Sequence, residues 1–269
     1  MLVLSKGSFM GPVARLNDMG GIITSLSCYH GDAPYDEHLH CHETLHLSMV
    51  LQGGNIEKRK IKQIDCLPGT VTFYDAWEPH YSVHIIPGSC QVNLEIADGF
   101  IAEYDLSVRS FALEKSNPAD TRFLMLKVYR ELLVNDLDSS LSVTSALLRA
   151  LYFSGKAASD QSVPNWVPLV KEMLHDRWND HITLNELGLI ASLHPANLSG
   201  YFPKYFGCTI GEYRRKLKIE KALELIKTSS VSLTTIAHRA GFADQSHFTR
   251  ACKELTGWNP KQLRAMQFK

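Results

Sequence analysis

Residues 231–264, VSLTTIAHRAGFADQSHFTRACKELTGWNPKQLR, decide how the chain is read. The stretch falls into a helix, a tight turn, a second helix and a clipped tail. Ala237 is small enough to let two helices cross closely. Gly241, four residues on, stands where the turn needs a residue free to take positive φ. Phe242 and Phe248 are apolar anchors flanking a polar run, Asp244-Gln245-Ser246-His247, and Arg250 lies beyond it. The second helix stops at Gly257, and Pro260 bars its continuation. This is the pattern of a helix-turn-helix whose second helix offers a polar face to a DNA groove.

An earlier stretch echoes it. Across residues 184–214, Leu184 aligns with Leu233, Gly188 with Ala237, and Ser192-Leu193 with Gly241-Phe242; Leu198 then aligns with Phe248 and Gly207 with Gly257. The second copy has one extra residue in its turn. Thr183 is the expected N-cap of the first copy. Between the copies runs GEYRRKLKIEKALELI, residues 211–226, a strong helix former with a basic stripe. A helix of about 20 residues spans roughly 30 Å. Successive major grooves on one face of DNA lie ~34 Å apart, so such a helix can hold two recognition helices in adjacent grooves.

Charge is divided in the same way. The formal net charge is zero, but residues 1–164 carry 13 Lys and Arg against 19 Asp and Glu, a balance of −6, and residues 165–269 carry 15 against 9, a balance of +6. A basic C-terminal third suits a polyanion partner. Six scattered cysteines, Cys28, Cys41, Cys66, Cys90, Cys208 and Cys252, with no C-x-x-C pair, lead us to expect reduced thiols and a cytoplasmic protein. No apolar run reaches the ~18 residues of a membrane span, and no signal peptide is expected.

Residues 231–264 resemble the signature of the AraC/XylS family of transcription regulators. The residues carrying the resemblance are Ile236-Ala237, Gly241-Phe242, Asp244 to Arg250, Lys253, Gly257, Pro260 and Arg264. Cys252 stands where the family usually has Phe, and Asn259 where it usually has Thr or Ser; both read as packing or turn variations. The resemblance implies a sequence-specific regulator, activation being the commoner outcome. It also implies operator DNA and RNA polymerase as partners, a homodimer, and a small-molecule effector held by an N-terminal sensor. In the second copy Gln245, Ser246, His247, Thr249 and Arg250 are the expected base readers, with Arg favouring guanine and Gln adenine. In the first copy Ala196 and Gly200 replace the usual readers and Pro203 falls inside the helix. This leaves Asn197, Ser199 and His194 as contacts and a mainly positioning role. Only some of Arg214, Arg215, Lys216 and Lys218 are expected at phosphates, the rest forming a solvated basic face.

Residues 1–110 read as β: Leu45–Leu51, Ile56–Ile61, Thr70–Tyr74, Tyr81–Ile86 and Gln91–Ile96, punctuated at Gly53-Gly54-Asn55, Pro68-Gly69 and Pro87-Gly88, suggest a small antiparallel sandwich or barrel. Within them, His38-Leu-His40-Cys-His42-Glu43-Thr-Leu-His46 places four histidines at one parity, so one strand would aim all of them one way. The stretch resembles the first cupin motif, with His46 at the acid position, and Pro68-Gly69 with Pro79-His80 resembles the second. By that resemblance His40, His42, His46 and His80 are either ligands for Zn, Ni, Cu or Fe or the lining of an effector pocket, with Tyr74, Trp77 and Tyr81 as its aromatic wall. Helical spacing follows at Arg122–Val134 and Leu141–Tyr152, with Pro118 and Asp138-Ser139-Ser140 at the starts.

The expected fold class is therefore α+β in two domains. Residues 1–160 form a cupin-like β-barrel with following helices, residues 155–168 a linker, and residues 169–269 an all-α domain with two helix-turn-helix units joined by a long helix. The alternative from another class is a metal-dependent cupin enzyme with an appended helical domain. It explains the histidines but leaves the helical repeat and the charge division without a role.

Overall fold

The computed structural model describes residues 1–29, 38–106, 118–157 and 163–266. They fall into an N-terminal unit that runs to Ala150 and a C-terminal unit from Leu151 to Ala265.

The N-terminal unit has strands β1 (Leu2–Leu4), β2 (Val13–Asp18), β3 (Ile22–Cys28), β4 (His40–His42), β5 (Leu45–Gln52), β6 (Asn55–Arg59), β7 (Gln63–Cys66), β8 (Val71–Tyr74), β9 (His80–Val83) and β10 (Cys90–Ile96). They form two five-stranded sheets, ordered β1-β4-β9-β6-β7 and β2-β3-β10-β5-β8, rather than one closed barrel. Pairing is antiparallel except between β1 and β4. The five strands read from sequence correspond to β5, β6, β8, β9 and β10. The others carried weaker signals: β4 has three residues, β2 is almost wholly exposed, and β3 buries Thr24, Ser25 and Ser27 among its apolar residues. Asn93 explains the two buried serine hydroxyls, its Nδ2 donating to Ser25 Oγ at 3.1 Å and Ser27 Oγ at 3.3 Å.

Three helices follow: α1 (Asp98–Glu103), α2 (Pro118–Val134) and α3 (Ser139–Ala157). α2 packs on β3, β10, β8 and β5, and Arg122 Nε donates to Gly69 O at 3.1 Å. The second sheet is thereby covered on the face that carries Leu47, Met49, Val92 and Leu94, all fully buried. The start of α3 is tied to α2, Ser139 Oγ donating to Glu131 Oε2 at 3.0 Å.

The expectation of six free thiols is corrected at one pair. Cys28 and Cys90 are directly opposite on β3 and β10, and their sulfurs are joined as a disulfide; Cys41, Cys66, Cys208 and Cys252 are buried and form no disulfide.

The C-terminal unit is helical: α4 (Trp166–Asp176), α5 (Leu184–Ala191), α6 (Pro195–Phe206), α7 (Ile210–Thr228), α8 (Leu233–Arg239), α9 (Gln245–Thr256) and α10 (Pro260–Ala265). Of the expected linker, Gly155–Ala157 end α3 and Trp166–Pro168 begin α4, while residues 158–162 lie outside the described residues. Trp166 belongs to the first helical core, with Val170, Leu174, Leu187, Leu198, Phe202 and Leu217. Among the described residues no helix is long and apolar enough to cross a membrane.

Candidate functional site

α5, α7, α8 and α9 each start where a short polar side chain captures an orphan backbone N–H. Thr183 and Thr209 form capping boxes with Glu186 and Glu212. Ser232 accepts from Thr235 N at 3.0 Å, and Asp244 accepts from His247 N at 2.7 Å. The two turns use the same backbone geometry at the aligned positions: Ser192 has φ 51° and Gly241 φ 72°. Gly207 and Gly257 end α6 and α9 in the left-handed region.

On α9, Gln245, Ser246, His247 and Arg250 are exposed and Thr249 is half-buried, while Phe248, Ala251 and Cys252 are buried. Helical spacing sets Ser246, Thr249, Arg250 and Lys253 on one face. Gln245 Oε1 accepts from Thr234 Oγ1 on α8 at 2.6 Å, which fixes its orientation at the helix entrance.

On α6, Asn197 and Ser199 are exposed, as expected of contacts. His194 is also exposed, but its Nδ1 accepts from Ala196 N at 3.3 Å, so this ring is the N-cap of α6. Two further exposed side chains were missed: Tyr201, 51% exposed, and Lys204 share a face with Asn197 at helical spacing. The signal was present in the i, i+4, i+7 pattern of 197, 201 and 204. Pro203 does not break α6, which runs unbroken to Phe206.

Three side chains of the basic stripe of α7 have partners within the protein. Arg214 Nη1 donates to Ile182 O at 3.2 Å and Nη2 donates to Asp180 O, clamping the loop before α5. Lys218 Nζ donates to Gly241 O at 2.5 Å, in the α8–α9 turn; burial, then the Arg214 charge, holds its pKa below the usual lysine value. Arg215 Nη1 pairs with Glu254 of α9 at 3.0 Å. From one helix these three side chains reach both copies of the repeat.

In the N-terminal unit a cavity of about 60 Å³ opens between the two sheets. The first sheet contributes His40 and His42 (β4), Glu57 (β6), and His80 and Ser82 (β9); the second contributes Ser27, His46, Ser48, Tyr74, Gln91 and Asn93. The histidine stretch is thus not one strand. It breaks after His42, and His46 lies in the other sheet. His40, His42, His46 and His80 are nevertheless buried and gathered: ring centroids are 4.3 Å apart for His40 and His80, 4.0 Å for His42 and His46, and 5.5 Å for His42 and His80. His38 is exposed and contributes its carbonyl.

The donor atoms of His40, His42 and His80 lie within 4.8 Å of one another. His40 Nδ1 lies 2.9 Å from His38 O and His80 Nδ1 2.9 Å from Glu78 O. A carbonyl only accepts, so each Nδ1 carries the proton and each Nε2 keeps its lone pair. Burial pushes His80 down to about 3 and lowers His40, while burial and then the His42 charge hold His46 well below its ordinary value. Tyr74 stacks on His46 at 4.2 Å and carries Arg59 on its ring at 4.5 Å. Burial lifts Glu57 to about 7 against the opposing pull of Arg59. Trp77 is no part of this wall: it is 56% exposed with φ 65°, its N–H donating to His42 O. Tyr81 is half-buried outside the lining.

Comparison with known proteins bears on the helical repeat. A helix-turn-helix domain family matches residues 189–266. The HTH-type transcriptional activator RhaS of Escherichia coli is 27% identical over 133 residues, 48% of this chain and 48% of that protein. The chain thus matches about half the length of this curated relative. Among solved structures, the C-terminal domain of the response regulator YesN from Fusobacterium nucleatum is 30% identical, covers 36% of this chain and 95% of its own, and has a TM-score of 0.34. ToxT from Vibrio cholerae covers 93% of this chain and 100% of its own at 13% identity and a TM-score of 0.39. The helix-turn-helix match and the activator relative support an AraC/XylS-family regulator over the C-terminal part of this chain.

Proposed function

We propose that this chain is a sequence-specific DNA-binding transcription regulator of the activating kind, with α9 as its principal reading helix. The observation that carries this is the exposed face of α9, where Ser246, His247 and Arg250 project from a capped helix whose opposite face is buried. α7, 19 residues and therefore about 28 Å long, joins the two copies, and its length is near the spacing of successive major grooves. α6 positions the protein through Asn197, Ser199, Tyr201 and Lys204. Activation follows the character of the RhaS relative, and implies contact with RNA polymerase in the cytoplasm.

The N-terminal unit serves in this reading as a cupin-like sensor and dimerisation domain, joined to the DNA-binding domain around residues 155–168. Support for sensing is the largely polar lining of its cavity. Support for a homodimer is the exposed apolar end of α2 and α3, where Val134, Leu137 and Leu141 meet solvent. Binding-site selection on random duplex DNA tests the proposal. One recovered motif of two half-sites about one helical turn apart is expected, and recovery of no motif overturns it.

A further inference from the structure

We propose that His40, His42 and His80 form a divalent transition-metal site, three imidazoles binding through Nε2 with the remaining coordination positions open to the cavity. Each ring has an oxygen behind it. His38 O and Glu78 O accept from His40 Nδ1 and His80 Nδ1. Behind His42, Glu95 Oε1 lies 3.5 Å from Nδ1, and Glu95 Oε2 accepts from Gly7 N at 2.8 Å. Oxygens behind metal-binding imidazoles set the tautomer and the ring direction. His42 Nδ1 and Glu95 Oε1 are both buried without a hydrogen-bond partner. A shift of about 0.5 Å would bring them to hydrogen-bond distance, and a cation at Nε2 would favour that bond by drawing charge from the ring.

The distances suit an ion. Zinc–imidazole bonds of ~2.0–2.1 Å put the nitrogens of a tetrahedral site ~3.4 Å apart. The present donor atoms lie within 4.8 Å, so side-chain rotation that moves each by less than about 1 Å closes the site. A void of about 60 Å³ holds a metal ion with a few waters, since one water needs roughly 10–15 Å³ by this measure. The donor set is nitrogen alone, which favours Zn, Ni, Cu or Fe over Mg or Ca. Cys41, between His40 and His42, has the opposite strand parity and is absent from the cavity lining. His46 is outside the ligand set, flat against Tyr74 on the other sheet. The site rests on this geometry; its use as a switch for DNA binding rests on the regulator reading above.

Full-length protein, made without a polyhistidine tag and stripped with chelator, is titrated with Co(II) or Zn(II) alone. One equivalent per chain is expected, with the visible absorption of nitrogen-bound Co(II). His46→Gln should retain it. His40→Gln and His80→Gln should each weaken it at least about 100-fold, and Glu95→Gln about 10–100-fold. Far-UV circular dichroism matched to wild type establishes that each variant is folded, and Glu95→Gln keeps the test open if a ligand variant is not. No binding by wild type, or equal binding by His40→Gln and His80→Gln, overturns the site; loss in His46→Gln equal to theirs overturns the ligand set. DNA affinity of the same samples is read separately. Absence of any selected operator in every metal state sinks the regulator reading and leaves the metal titration standing.

Discussion

In the first helix-turn-helix copy Leu187, Gly188, Leu198 and Phe202 turn inward; at the aligned positions the second copy buries Ile236, Ala237, Phe248 and Cys252. Volume is exchanged between the last two sites: Leu198 with Phe202 in one copy, Phe248 with Cys252 in the other. Cys252, the departure from the usual family residue, thus sits opposite a larger neighbour in its own helix. Outside, the copies part company. Gly200 stands where the second copy has Arg250, Ala196 where it has Ser246, and Pro203 where it has Lys253. One scaffold is built twice with two different outer faces, which separates the residues that fold a helix-turn-helix from those that vary on its surface.

The largest effects should come from the shared interior. Phe248→Ala is expected to cost about 3–5 kcal/mol and Leu198→Ala about 2–5 kcal/mol, measured by chemical unfolding of the C-terminal helices. A much smaller loss for one of them would mean that the copies are not equivalent scaffolds. Next comes the exposed difference. Arg250→Ala should weaken selected-site binding by about 1–3 kcal/mol and relax one base position, whereas Lys204→Ala should weaken all sequences alike and reduce the salt slope by about 1. A uniform loss from Arg250→Ala would make it a phosphate contact and erase the asymmetry.

The turns give a third test. Gly241→Ala puts a side chain at φ 72° with its Cβ 3.2 Å from Asn179 O and from Lys218 Cε, and should cost about 1–2 kcal/mol or more. Ser192→Gly, at φ 51° in the other copy, should recover up to about 1 kcal/mol. Opposite signs in thermal unfolding are expected; the same sign would show that the turns are not matched. Smallest, Gly200→Ala should stabilise α6 by about 0.5–1 kcal/mol, since a Cβ there meets nothing within 4 Å, and should leave the selected DNA motif unchanged. A changed motif would place Gly200 against a base.

Much of the DNA-binding domain was legible because its signals are local. Caps, turn glycines and 3.6-residue spacing act within a few residues, so Thr183, Gly241 and Gly257 could be placed from their neighbours. The roles of Arg214 and Lys218 could not, because their acceptors, the carbonyls of Asp180, Ile182 and Gly241, are 23 to 34 residues away. A basic stripe reads the same whether it faces phosphate or a backbone turn. His194 carries the same ambiguity: a ring nitrogen at a helix start can cap or contact, and here it caps.

The order of residues alone shows that a duplicated helical unit follows a β-rich half, that the basic charge lies with the duplication, and that four histidines share a parity. Each is a statement about spacing or composition. Not readable there are the two open sheets of the β half, the place of His46 in the sheet opposite His40 and His42, and Glu95, 53 residues after His42 in the chain, behind that ring. Those outcomes depend on which strands pair. Pairing is settled by how two whole faces bury together, and no local stretch of residues carries that information.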